Sequence, residues 1–159
     1  MEKGIDASSM RIRSSDGYYT LVVTRWNSKI VEGLSRGARR ALISRGITED
    51  RIRMVHVPGA FEIPLACQAA ARRTDCDAVI ALGAVIRGET PHFEYVAGEC
   101  TRGIGEVALS TGKPLSFGVL TVNTFEQALA RSNDDENNKG AEAALCAIEM
   151  VNILRELTD

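Results

Sequence analysis

The chain has little from which metal, redox or nucleic-acid chemistry could be built. It holds two histidines and four cysteines, and Cys67, Cys76, Cys100 and Cys146 form no C-x-x-C pair and meet no histidine cluster. A zinc site or a dithiol redox motif is therefore not expected. The cysteines read as small buried hydrophobes, free thiols in a reducing compartment. No apolar run approaches the ~18 residues that a membrane span needs. The opening segment MEKGIDASSMRIRSSDG has no apolar signal core, so a cytoplasmic protein is expected. A net charge of −2, with no basic block and no interleaved aromatics, suits neither nucleic acid nor an acidic membrane surface. No serine or cysteine stands near His92 in a nucleophile elbow, which removes the hydrolase triads.

What remains is an ordinary globular composition, 45% apolar and 25% charged over 159 residues, enough for one core and one domain. Residues 1–17 are polar, lack periodicity and read as a flexible arm, leaving 18–159 as the domain. Short apolar strands are expected at 19–25, 51–57, 77–86 and 114–121. Helical spacing fills the intervals at 27–46, 61–74, 91–112, 124–132 and 139–157. Asn27 or Ser28 serves as the first N-cap, Gly46 as its stop, and Pro64 and Pro91 fit only in first turns. Apolar strands alternating with helices specify a parallel sheet covered on both faces, a three-layer α/β sandwich with right-handed crossovers. Ligands of such sheets bind beyond the carboxyl ends of the strands. The segments RWN, PGAFE, AVIRGETPH and TVNT all fall at that edge.

GAVIRGET has the spacing of a phosphate-binding P-loop, with Glu89 where the lysine should be. A carboxylate there repels terminal phosphates, which argues against nucleotide hydrolysis. Gly88, Thr90 and the following helix start can still cradle a phosphate, and a plain strand-to-helix turn remains the alternative. GIGEVA, from Gly103 to Ala108, spells a dinucleotide fingerprint but lies inside a helix, where small residues serve packing. His92, in a helix first turn at the functional edge, suits proton transfer as a neutral imidazole, although a lone histidine is more often structural and position alone favours that role. His56, within a strand, reads as structural. Trp26 is either core filling or a platform for a flat heterocycle. Glu62 can accept hydrogen bonds from hydroxyls, while Arg131 and Lys139 read by default as surface cations.

Taken together, RWN, PGAFEIP, GAVIRGETPHFEYV, FGVLTVNT and NKGAEAA, in this order, resemble the lumazine synthase family from about Tyr19 to Leu157. The resemblance implies a flavodoxin-like, four-stranded single domain. It also implies condensation of 5-amino-6-(D-ribitylamino)uracil with 3,4-dihydroxy-2-butanone 4-phosphate, without metal or organic cofactor. By the same resemblance, Trp26 stacks on the pyrimidine where phenylalanine is commoner, with Asn27 beside it. Ala60, Phe61 and Glu62, with Ala84, Val85 and Ile86, contact ring and ribityl groups. Glu89 and Thr90 belong to the phosphate turn, and His92 transfers protons. Phe117 and Arg131 come from a neighbouring subunit, Arg131 gripping the phosphate with Lys139 and Glu142 in support. A homopentamer, or a decamer or sixty-subunit shell built from it, is the implied assembly. The loop SNDDENN departs from the glycine-containing loop of shell-forming members. The alternative is a weakly catalytic lumazine- or riboflavin-binding assembly protein of the same fold.

Overall fold

Strand β1, Tyr19–Thr24, is buried at all six positions, as a β-branched apolar run must be when both its faces are covered. The computed structural model describes residues 16–158, so the expected arm over 1–17 falls almost wholly outside the described residues. Around β1 the sheet takes the order β2-β1-β3-β4, with β2 at Ile52–Val57, β3 at Ala78–Ile86 and β4 at Leu115–Val122. Every pairing is parallel, Tyr19 lying opposite Ile52 on one side and Ala78 on the other. The expected α/β sandwich is what the chain forms. β2 is the least covered strand, because it is an edge with exposed Arg53, Val55 and His56.

Two helices close each face. Helix α1, Ser28–Ser44, sends Ile30, Leu34, Ala38 and Leu42 inward at the spacing read from sequence. It joins α5, Lys139–Thr158, over Leu21, Val23, Ile80 and Leu82. Helices α2, Ile63–Ala71, and α3, His92–Thr111, bury Ile63, Cys67, Cys100 and Ile104 against Val22, Val79, Ala81 and Val119. Helix α4, Phe125–Ala130, is one short element capped by Thr124, whose hydroxyl accepts the Gln127 N–H at 3.2 Å. Among the described residues, no helix is long and apolar enough to cross a membrane.

Local chemistry sets the boundaries. Pro64 sits in the first turn of α2 and Pro91 immediately before α3, where a missing N–H costs nothing. Gly46 and Gly112 adopt positive φ, 90° and 68°, and terminate α1 and α3. A 3₁₀ turn at Ala60–Glu62 precedes α2, which starts later than the apolar spacing suggests. Gly103 of the GIGEVA segment packs on Pro64, where a Cβ would come within 2.7 Å of the ring. That is helix packing, not a dinucleotide turn. Three cysteines are buried and Cys146, expected buried, is only half so. Burial pushes the Cys67 thiol up to about 12, with Cys100 and Cys76 nearby adding to the shift. It remains a protonated, inert side chain.

Candidate functional site

A cleft of about 520 Å³ opens at the carboxyl ends of β1, β2 and β3. It lies where the chain order reverses, β1 leading outward to β2 on one side while β3 follows on the other. Such a switch point leaves a crevice because successive crossovers depart to opposite sides. From the end of β1 come Thr24, Trp26 and Asn27, and from the turn after β2 come Gly59, Ala60, Phe61 and Glu62. β3 supplies Ala84, Val85 and Ile86, and the segment after it supplies Gly88, Thr90 and His92. Phe93, Tyr95 and Val96 of α3 complete the wall.

Ten of the fifteen residues singled out from sequence line this one cleft. Trp26 is 70% exposed and Phe61 60%, so neither is core filling. Asn27 departs from its expected role. It occupies the N-cap position of α1, yet its backbone is left-handed (φ 58°) and its side chain caps nothing there. Its amide instead donates to the Ala84 carbonyl at 3.3 Å, tying the β1 and β3 ends together across the cleft. Glu62 spends one carboxylate oxygen on the Gly59 N–H, at 3.0 Å, which fixes the turn and leaves the other oxygen for a ligand. Thr24 Oγ1 has no hydrogen-bond partner, the one such buried side-chain atom among the described residues.

The turn of GAVIRGET is held from its back. Arg87 Nε donates to Asn123 Oδ1 at 2.9 Å, and its N–H donates to the Val122 carbonyl at 2.9 Å. Its guanidinium also pairs with Glu94 and stacks 4.4 Å above the Phe93 ring. The Arg87 hydrogen bond is the main reason the Glu94 carboxyl lies below the usual glutamate range. This clamp joins the end of β4 to the first turn of α3. Thr90 Oγ1 accepts the His92 N–H at 3.4 Å, a loose start to the helix, and His92 itself is exposed. Gly88 has open space on its side-chain face, while Glu89 is exposed and does not line the cleft.

The other four residues gather elsewhere. Phe117, Arg131, Lys139 and Glu142 line a separate hollow of about 320 Å³ against β4 and the start of α5, together with Cys146. The two hollows share no lining residue. Arg131 Nη1 donates to the Gln127 carbonyl at 2.9 Å, and Lys139 Nζ pairs with Glu142 at 2.7 Å. Within one chain, then, Arg131 and His92 are not brought together.

Sequence reasoning missed Arg87, Phe93 and Tyr95. The apolar periodicity of α3 hid the two aromatics as apparent core, although Tyr95 is 73% exposed. Arg87 gave a faint signal, a cation seven residues before an acid at a strand-to-helix turn. His56 lines neither hollow. Among the described residues, no group of three or more His, Cys, Asp or Glu side chains is placed to hold a metal ion.

The arrangement offers a largely apolar slot with an exposed indole and phenyl, a helix start, and one imidazole. It suits a flat heterocycle with a small anion beside it. A family model described as 6,7-dimethyl-8-ribityllumazine synthase matches residues 18–155, nearly the whole domain. The chain belongs to the 6,7-dimethyl-8-ribityllumazine synthase family.

Proposed function

We propose that the protein condenses 5-amino-6-(D-ribitylamino)uracil with 3,4-dihydroxy-2-butanone 4-phosphate to give 6,7-dimethyl-8-ribityllumazine, releasing phosphate and water. The observation that carries this reading is the convergence of Trp26, Phe61 and His92 on one cleft at the switch point. Trp26 and Phe61 sandwich the pyrimidine, and the free Glu62 oxygen accepts from ribityl hydroxyls. The phosphate lies on the N–H groups around Gly88 and Thr90, at the positive end of α3.

The reaction makes an imine between amine and ketone, eliminates phosphate and closes the ring. These steps consist chiefly of moving protons, which a single imidazole at His92 can do near neutral pH. Holding both substrates in one cleft supplies much of the remaining acceleration. Arg131 acts from a second copy of the chain, since its hollow is separate from the cleft within one copy. That requirement supports a closed cyclic homo-oligomer, a pentamer or a multiple of it, with one site at each contact.

The test mixes both substrates with the full chain and follows the fluorescent lumazine. Product forming faster than the spontaneous reaction supports the proposal. Tight binding of lumazine or riboflavin with no turnover points instead to a ligand-carrying assembly of this fold.

A further inference from the structure

The loop joining α4 to α5 carries the second hollow's two cations at its ends, Arg131 and Lys139. Its last residue, directly before Lys139, has a polar side chain that should not be buried without reason. Asn138 is 4% exposed. Its Nδ2 faces three backbone carbonyls, those of Gly33 at 3.0 Å, Ser132 at 3.2 Å and Asn133 at 2.9 Å. Its Oδ1 accepts the Ala141 N–H at 3.0 Å, capping α5. Two amide hydrogens are shared among three acceptors and the oxygen is also engaged, so both ends of the group are held.

The opposing helix is shaped for this amide. A Cβ at Gly37 of α1 would lie 2.1 Å from Asn138 Oδ1, and one at Gly33 would lie 2.2 Å from the Ser132 carbonyl oxygen. Two glycines one turn apart therefore leave a slot that the loop and its asparagine fill. Asp134 adds an outer tether, 3.5 Å from Arg36 and 3.4 Å from Arg40 on α1. The loop's ends are closed by a direct link, the Lys139 N–H donating to the Arg131 carbonyl at 2.9 Å.

We infer that Asn138 is a positioning residue for the anion grip: it fixes the backbone spacing of Arg131 and Lys139, and so sets affinity for the phosphate group of the substrate. This rests on the condensing function proposed above. Asn138 touches no substrate and acts only through the two cations. Without its amide, three carbonyls lose a donor, although that of Asn133 keeps the Asp135 N–H, and the loop loses its inner anchor on α1. The cations then sit less accurately for a bidentate phosphate contact.

The experiment uses the full chain carrying Asn138→Ser, which keeps an acceptor for the Ala141 N–H but cannot span the three carbonyls. Asn138→Thr, which likewise adds no charge beside the two cations and fills more of the slot, serves where the serine variant is too unstable to purify. The KM for the butanone phosphate should rise about tenfold while the KM for the ribitylaminouracil moves less than about twofold, because misplacement is confined to the anion end. Orthophosphate, used as a simple probe in calorimetry, should lose affinity in parallel. Equal rises in both KM values mark general loosening and overturn the inference. So do an unaltered KM and orthophosphate affinity in a folded variant, which leave the condensing function standing. A wild-type protein that makes lumazine yet binds no orthophosphate also overturns it, and a protein that does neither overturns the functional reading with it.

Discussion

His92 and Arg87 show how little each residue does alone. His92 is exposed at the first position of α3, its backbone N–H donating to Thr90 Oγ1. What makes it useful is the cleft it borders. His92→Ala should lower turnover by about 10²-fold, the low end for loss of general acid–base catalysis, with substrate binding largely kept. Single-turnover rates and equilibrium binding separate the two, and an undiminished rate removes His92 from the mechanism. Arg87 holds the turn through Glu94, Phe93 and Asn123. Glu94 has a depressed folded pKa, so its contribution to stability is present above the ordinary glutamate value and lost as pH falls through the depressed one. Glu94→Gln should flatten that part of the acid limb in urea midpoints taken across pH. The pair is exposed, so high salt should shrink the difference. At this scale, the sequence spoke clearly where a residue was rare. One tryptophan and two histidines drew notice, whereas Phe93 and Tyr95 were lost among the apolar residues of a helix. Asn27 resembled a routine cap because side-chain reach to another strand leaves no trace in local spacing.

At the scale of elements, strands and helices were legible because period and punctuation agreed: Pro64, Pro91, Gly46 and Gly112 all stand at boundaries. The 3₁₀ turns at Glu49–Arg51 and Ala60–Glu62 were not, since three residues are too few to show a period. Helix pairing was also silent, yet it depends on single glycines. A Cβ on Gly140 of α5 would lie 2.0 Å from the Leu34 carbonyl oxygen on α1. Gly140→Ala must push the helices apart and should destabilise the fold by roughly 1–3 kcal/mol, the usual cost of overpacking. Gly105, on α3, meets nothing within 4 Å. Gly105→Ala should therefore stabilise by roughly 0.5–1 kcal/mol through helix propensity alone. Chemical denaturation of both variants checks the pair. A destabilised Gly105→Ala protein would show that this face of α3 is closed in the assembled protein.

For the whole molecule, the division of the candidate residues between two hollows is the fact that sequence could not give. Phe117, Arg131, Lys139 and Glu142 read as a set only through family resemblance, because no spacing relates them to His92. Their separation yields a sharp expectation. His92→Ala and Arg131→Ala proteins, each nearly inactive, should regain activity when co-assembled. Random mixing leaves about a quarter of the sites with both groups intact in a closed ring. Co-expression followed by the lumazine assay checks this, and absence of any recovery would mean that each copy works with its own residues.

The central position of β1 also bears on how the chain comes into being. Tyr19 must wait for Ile52 to be made before its strand gains one neighbour, and for Ala78 before it gains the other. During synthesis, a strand destined to be wholly buried therefore stands half-paired while α2 and β3 are still emerging from the ribosome. Parallel pairing at such sequence distance is slow, and unpaired edges of this kind are where nascent chains aggregate. The strand that anchors the finished sheet is thus the newborn chain's greatest exposure, and the segment for which chaperone protection matters most.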